Sequence, residues 1–318
     1  MTQTTFPEGV RVQQEPRALA TLGAGFLAAA LFALLRLVPV LGVMGVACAL
    51  PLLVHRLRGG LPSGILATAV AVALLVVVFP LGAALVFVAV FAMPGLLMAE
   101  ALARGRGLLR GCAWGFGVLV GELALLLLTS APRLAAEVLE PFAQMSTPAF
   151  LADLQRGGLP PERVELFADQ ARAWHAALSI VYPGAYVVLA AVLVLINAAL
   201  LRAYLARRDR GLLDGGEFEE IRWPLGLAAA FLLAGFGVMA EPLRPLAYNV
   251  LVVVAFFCAV QGLAVVAYYA HRLAAPPLLR LALMLLVLLN PWAPQVLALA
   301  GLADIFLDFR KWARPSPA

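Results

Sequence analysis

Residues 18–54 form a run of 37 positions with a single charge, Arg36. As one α-helix this run would be about 55 Å long, against a bilayer core of about 30 Å. It therefore reads as two passes that turn near Arg36 and Pro39. His55, Arg56 and Arg58 close the pair, and Gly59-Gly60 comes next. Residues 64–98 repeat the design, with Pro80 and Gly82 breaking the run near its middle. Runs of this kind bury their apolar surface in lipid.

Composition agrees. Of 318 residues, 64% are hydrophobic and 13% charged, where a soluble domain has about 45–50% and about 25%. That excludes an ordinary cytoplasmic enzyme, a disordered chain and a nucleic-acid-binding domain. The net charge of +5 is spread over short loops and forms no single basic patch. The first run lacks a small-residue cleavage pattern, so it is expected to be retained as a membrane segment. Cys48, Cys112 and Cys258 lie far apart in apolar stretches, which predicts neither a disulfide framework nor a metal site.

Residues 111–129 make a fifth pass around a lone Glu122. Residues 131–176 are polar. Thr147-Pro148 signals a helix start, Gly157-Gly158 a stop and Pro160-Pro161-Glu162 another start. Short amphipathic helices on the membrane surface are expected there. A sixth pass covers about 177–204, and residues 205–222 form a charged loop. Trp223-Pro224 opens a seventh pass, and residues 247–270 make an eighth. Residues 278–309 are split at Asn290-Pro291 into two halves, either two thin passes or a re-entrant pair. The expected fold is all-α: a polytopic transmembrane helical bundle of about eight to ten membrane segments. Its parts are an N-terminal tail (1–17), an N-terminal bundle (18–130), an extracytoplasmic amphipathic segment (131–176), a C-terminal bundle (177–311) and a second tail (312–318). With both termini cytoplasmic, 17 of 23 Lys and Arg residues fall inside, the side that basic residues favour. A bacterial inner membrane is the expected location.

Ionisable and amide groups inside a membrane are costly, so each is a candidate site. Glu122 reads as a proton, cation or ligand contact, or as a carboxyl tying helices together. Asn197, Asn249, Gln261 and Asn290 either hydrogen-bond between helices or line a polar cavity. Asn290 sits where a broken helix would free backbone groups. Asp304 and Asp308 are four apart on one helix face, with Arg310 just beyond. They either close a helix end against loop arginines or form a docking surface. Ala20, Ala24 and Ala28 make a small-residue stripe, and Gly117 and Gly121 another, for packing or partner docking. There is no P-loop, GxSxG or HExxH motif, and His55, His175 and His271 are dispersed at expected membrane edges. No enzyme, cofactor or metal reading is supported.

One ordered set of residues goes further. Residues 216–224 read GEFEEIRWP. Asn249-Val250-Leu251 and Gln261-Gly262-Leu263-Ala264 come later, and residues 301–311 read GLADIFLDFRK. The set resembles the YybS-like family of bacterial membrane proteins, most specifically in its closing run. That family looks distantly similar to the substrate-binding components of energy-coupling-factor transporters and to MreD-type envelope proteins. The resemblance implies a coupling subunit that contacts an alanine stripe on the first helix, where Ala20, Ala24 and Ala28 stand. It implies no particular ligand.

Two functions are therefore expected to compete. The first is a substrate-binding or transport component without its own ATPase, using Glu122 and Asn290. It works with a coupling subunit and ATPase as partners. The second is a membrane scaffold for envelope or division proteins, using the small-residue stripes, the charged loop and the Asp304/Asp308 face.

Overall fold

The computed structural model describes residues 18–38, 42–208, 218–273 and 292–312, with positions 276, 279, 287 and 290 between the last two. All regular structure among the described residues is helical. Among the described residues, six helices are long and apolar enough to cross a membrane: Ala18–Leu37, Val46–Val78, Leu81–Ala103, Leu108–Met145, Pro161–Arg208 and Glu241–Arg272. Two shorter apolar helices join them, Leu225–Gly237 and Ala293–Leu307. The chain is a multi-pass helical membrane protein. Pro39, the charged positions 209–217, both tails and most of the first half of the 278–309 run lie outside the described residues.

The helices gather into two compact units that interleave along the sequence. The first takes the described residues of Met1–Glu122 and Leu189–Gly216, the second those of Leu123–Val188 and Glu217–Ala318.

In the first unit, α1 (Ala18–Leu37) leads to α2 (Gly42–Gly45), a 3-10 turn (Val46–Ala49) and α3 (Leu50–Val78). Gly60 breaks α3 with φ 85° and ψ 171°. A Cβ on Gly64 would lie 3.5 Å from the Arg56 Cα, whereas a straight helix separates such positions by about 12 Å. The chain thus reverses here, as the arginines and glycines at 55–60 predict. α4 (Leu81–Val86), a π-helical stretch (Phe87–Ala92) and α5 (Met93–Ala103) form the next pass. The start of α6 (Leu108–Met145) and the end of α8 (Pro161–Arg208) complete the unit. Phe32 packs edge-on against Phe87 and Phe91, with centroids 5.4 and 5.8 Å away. Gly25 lets α1 approach α3 closely, because a Cβ there would lie 2.6 Å from the Ala67 carbonyl oxygen.

In the second unit, α6 continues after a non-helical Ser130 to Met145. α7 (Pro148–Arg156) comes next, capped by the Thr147 hydroxyl, and then α8 starts at Pro161. The break at Ser130 makes residues 131–145 a short helix of their own, α7 is a second, and residues 161–176 are the first part of the 48-residue α8. The start and stop signals at 147 and 157–162 mark real helix ends. The helix that begins at Pro161 runs without a break through Pro183 into the apolar span, as the expected helix leading into the membrane requires. The unit closes with α9 (Leu225–Gly237), α10 (Arg244–Arg272), α11 (Ala293–Leu307) and α12 (Phe309–Trp312). Asn249 on α10 sits across the Pro183 region of α8. Its Oδ1 accepts from Gly184 N at 2.6 Å, and its Nδ2 donates to Ile180 O at 2.8 Å. One amide thus bridges the two partners of a single helical rung beside a proline that weakens the ladder.

Candidate functional site

The residues that carry the closing sequence run meet at one end of the second unit. α10 and α11 approach closely at Gly262 and Gly301, and a Cβ on Gly301 would lie 2.7 Å from Gly262 N. This contact sets Gln261 beside Asp304. Gln261 Oε1 accepts from Trp223 N at 2.9 Å, and its Nε2 donates to Asp304 Oδ2 at 2.8 Å. Asp304 Oδ1 accepts from Phe309 N at 2.9 Å. Arg310 lies 3.4 Å from Asp304 Oδ2 and donates to Ile221 O at 3.0 Å. Tyr269 donates to Phe309 O, and the Trp223 indole to Phe257 O. Gln261, Asp304 and Arg310 are all buried, at 1%, 4% and 2% exposure. Arg310 Nε and Nη2 have no hydrogen-bond partner among the described residues. The charge is thus balanced by Asp304 without full hydrogen bonding.

Asp304 and Asp308 part company here. Asp308 ends α11 in the left-handed region, φ 46° and ψ 65°. Its carboxylate pairs with Arg222 at 2.6 Å and Lys311 at 3.4 Å. Burial pushes the Asp308 carboxyl up, but hydrogen bonds and charge from Arg222 and Lys311 outweigh it and hold it below the usual value. A depressed folded pKa gives stability that is present above the unfolded value, about 3.9, and is lost as pH falls through the folded value. Asp308→Asn is therefore expected to flatten the acid limb of a Tm-against-pH curve below about pH 5, while the slope near neutrality stays as in wild type. Thermal unfolding in detergent across that range checks it.

The residues offered for docking, Asp304, Asp308 and Arg310, all stand in this cluster. Asp304 and Arg310 are turned inward and Asp308 is paired with Arg222, because buried charges at the end of an apolar helix need partners. Of the alanine stripe, Ala28 is fully buried, Ala24 packs against the core and Ala20 is exposed. The stripe's inner end serves the unit's own packing and is not a free docking face. On α6 the close contacts belong to Gly111 and Gly115, against Met98 and Pro94 of α5. Gly117 and Gly121 meet nothing within 4 Å. Sequence spacing offers both glycine pairs equally, and only tertiary contact separates them.

Of the ligand candidates, Glu122 and Asn197 belong to the first unit and Asn249, Gln261 and Asn290 to the second. Asn249 and Gln261 are twelve residues apart on α10, about 18 Å along the axis. Asn290 is exposed and accepts from Trp292 N at 2.9 Å. Asn197 belongs to the first unit, donating to Val46 O at 3.1 Å and Leu193 O at 3.0 Å. It lines a cavity of about 10 Å³ with Val90, Phe91 and Pro94, and its buried Oδ1 has no partner among the described residues. A cavity of that size holds about one water. Glu122 is half-buried in α6, with no hydrogen bond or ion pair to any described residue. His55 is buried and bonded to the Thr21 hydroxyl at 2.9 Å. No group of three potential metal ligands occurs among the described residues.

A family model described as a predicted membrane protein (DUF2232) matches residues 26–305, and the chain belongs to that family. No curated protein and no solved structure matches it.

Proposed function

We propose that this DUF2232 member is a substrate-binding or transport component that lacks its own ATPase, with Glu122 as the group that meets ligand or coupling ion. Its place is the bacterial inner membrane, and a coupling subunit with an ATPase supplies energy. The observation that carries this reading is the isolation of Glu122. Glu100, the other carboxylate among the described residues of the first unit, is engaged by Arg56 and Arg104. Glu122 stands within an apolar span and engages none of the described residues. A carboxyl in that position is costly, and a purely structural role would give it a partner. The resemblance of residues 216–224 and 301–311 to YybS-like proteins supports the same reading through their distant likeness to energy-coupling-factor components.

A hydrophobic carbodiimide tests this in native membranes. Glu122 is expected to be labelled, and a small-molecule fraction of the source cells is expected to protect it. Labelling that no fraction or cation alters would contradict a ligand-facing role. Because Glu122 has no hydrogen bond or ion pair to lose among the described residues, Glu122→Gln is expected to change unfolding free energy by less than about 1 kcal/mol, measured by chemical unfolding in detergent.

The scaffold reading has one observation in its favour, the outward notch at Gly117 and Gly121. It predicts that Gly117→Leu with Gly121→Leu releases a bound protein while leaving small-molecule protection of Glu122 intact.

A further inference from the structure

We propose that one end of the first unit binds the phosphate groups of anionic phospholipids through Arg58, Arg104, Arg106 and Arg110. The contacts place these side chains at one level. Arg56 and Arg104 both donate to Glu100 through Nε at 2.8 Å. Arg58, two residues on, donates to the Tyr204 hydroxyl and lies 5.4 Å over its ring. Arg106 and Arg110 come next, through the short link that joins α5 to α6. That link is tight because Gly105 and Gly107 take left-handed backbone, with φ 66° and 77°.

The charge balance at this end is one-sided. The described part of the unit carries nine arginines and two carboxylates. Of the arginines, only Arg36, at the far end of α1, lies outside this group. Glu122 is twelve residues beyond Arg110, about 18 Å along α6. Glu100 is the one carboxylate at this end among the described residues, and it is 12% exposed and already held by two guanidiniums. Arg104 remains 57% exposed, and Arg58, Arg106 and Arg110 are exposed as well. No other acidic group among the described residues of this unit stands near enough to neutralise them.

Depth and pre-organisation select the partner. The apolar runs Leu81–Ala103 and Leu108–Met145 stop and start on either side of the link. The guanidiniums therefore stand where a leaflet presents its phosphates. Arg106 lies 5.0 Å over the Trp114 ring. Two of the four forks are thus fixed on aromatic faces, which lowers the entropy lost on gripping a phosphate. Basic pockets at helix ends on the cytoplasmic side suit anionic headgroups. An acidic protein segment is the competing occupant.

The test uses the full chain in nanodiscs of equal phosphatidylglycerol and phosphatidylcholine. Native mass spectrometry of the released protein counts the retained lipids. Phosphatidylglycerol is expected to be enriched several-fold. Each arginine removed in Arg106→Gln with Arg110→Gln lowers the preference by roughly fivefold at most, while Arg36→Gln leaves it unchanged. Equal retention of both lipids by the wild type would overturn the proposal, as would an equal loss in Arg36→Gln. So would a bound acidic protein from native membranes without any lipid preference. Thermal unfolding confirms that the double variant is folded. If it is not, the single Arg110→Gln, which breaks no hydrogen bond or ion pair among the described residues, carries the same comparison.

Discussion

Gly301→Ala will destabilise the second unit by about 3 kcal/mol or more, whereas Gly117→Ala will leave stability unchanged or raise it by up to about 1 kcal/mol. The same chemical change at two membrane glycines thus has opposite outcomes. A Cβ on Gly301 would press on the Cys258 carbonyl oxygen and stand 2.7 Å from Gly262 N and 2.8 Å from the Cys258 carbonyl carbon. Every one of these obstacles is backbone. A side chain in the way can rotate, but two helices can only move apart. Separation would also draw Gln261 from Asp304 and break the cluster that closes this end. Gly117 has open space instead, and alanine there removes only the helix cost of glycine. Chemical unfolding of both variants in one detergent, monitored by circular dichroism and size exclusion, checks the contrast.

The second large effect is expected at Asp304. Asp304→Ala removes the counter-charge of Arg310 and the acceptor of Gln261 Nε2 and Phe309 N together. Breaking a buried pair on one side costs about 3–5 kcal/mol, because the remaining charge stays buried. Asp304→Asn keeps an oxygen acceptor and should cost less. Asp304→Leu combined with Arg310→Met should recover part of the loss, since two matched apolar groups leave no uncompensated charge. A double-mutant cycle on unfolding free energy measures the coupling. Simple additivity of the two single losses would show that Asp304 and Arg310 act independently.

These residues also separate what is legible in a sequence from what is not. The passes are legible because apolar length against bilayer thickness is a local property, and the reversal at Gly60 comes from arginines and glycines that are visible in order. The helix-start signals at Thr147 and Pro161 are legible for the same reason. Asp304 and Asp308 look like one face, because a four-residue spacing assumes that the helix continues. It ends at Leu307, so the left-handed Asp308 swings towards Arg222. Ala28 and Gly117 illustrate a second limit. A small-residue stripe looks the same whether it meets its own chain or nothing, and only the fold decides. Asn249 could tie helices or line a cavity by sequence alone, and its place at Pro183 depends on a contact across 65 residues. Glu122 stands alone in its apolar run by sequence, and among the described residues no hydrogen bond or ion pair reaches it.

Whether this chain holds a small ligand through Glu122 is tested most directly by native mass spectrometry of the protein released from nanodiscs cut from its own membrane. The expected result is a recurring small bound mass that disappears in Glu122→Gln while the variant stays folded. A stoichiometric protein partner with no small mass, unchanged in Glu122→Gln, would contradict a ligand-binding role and favour the scaffold.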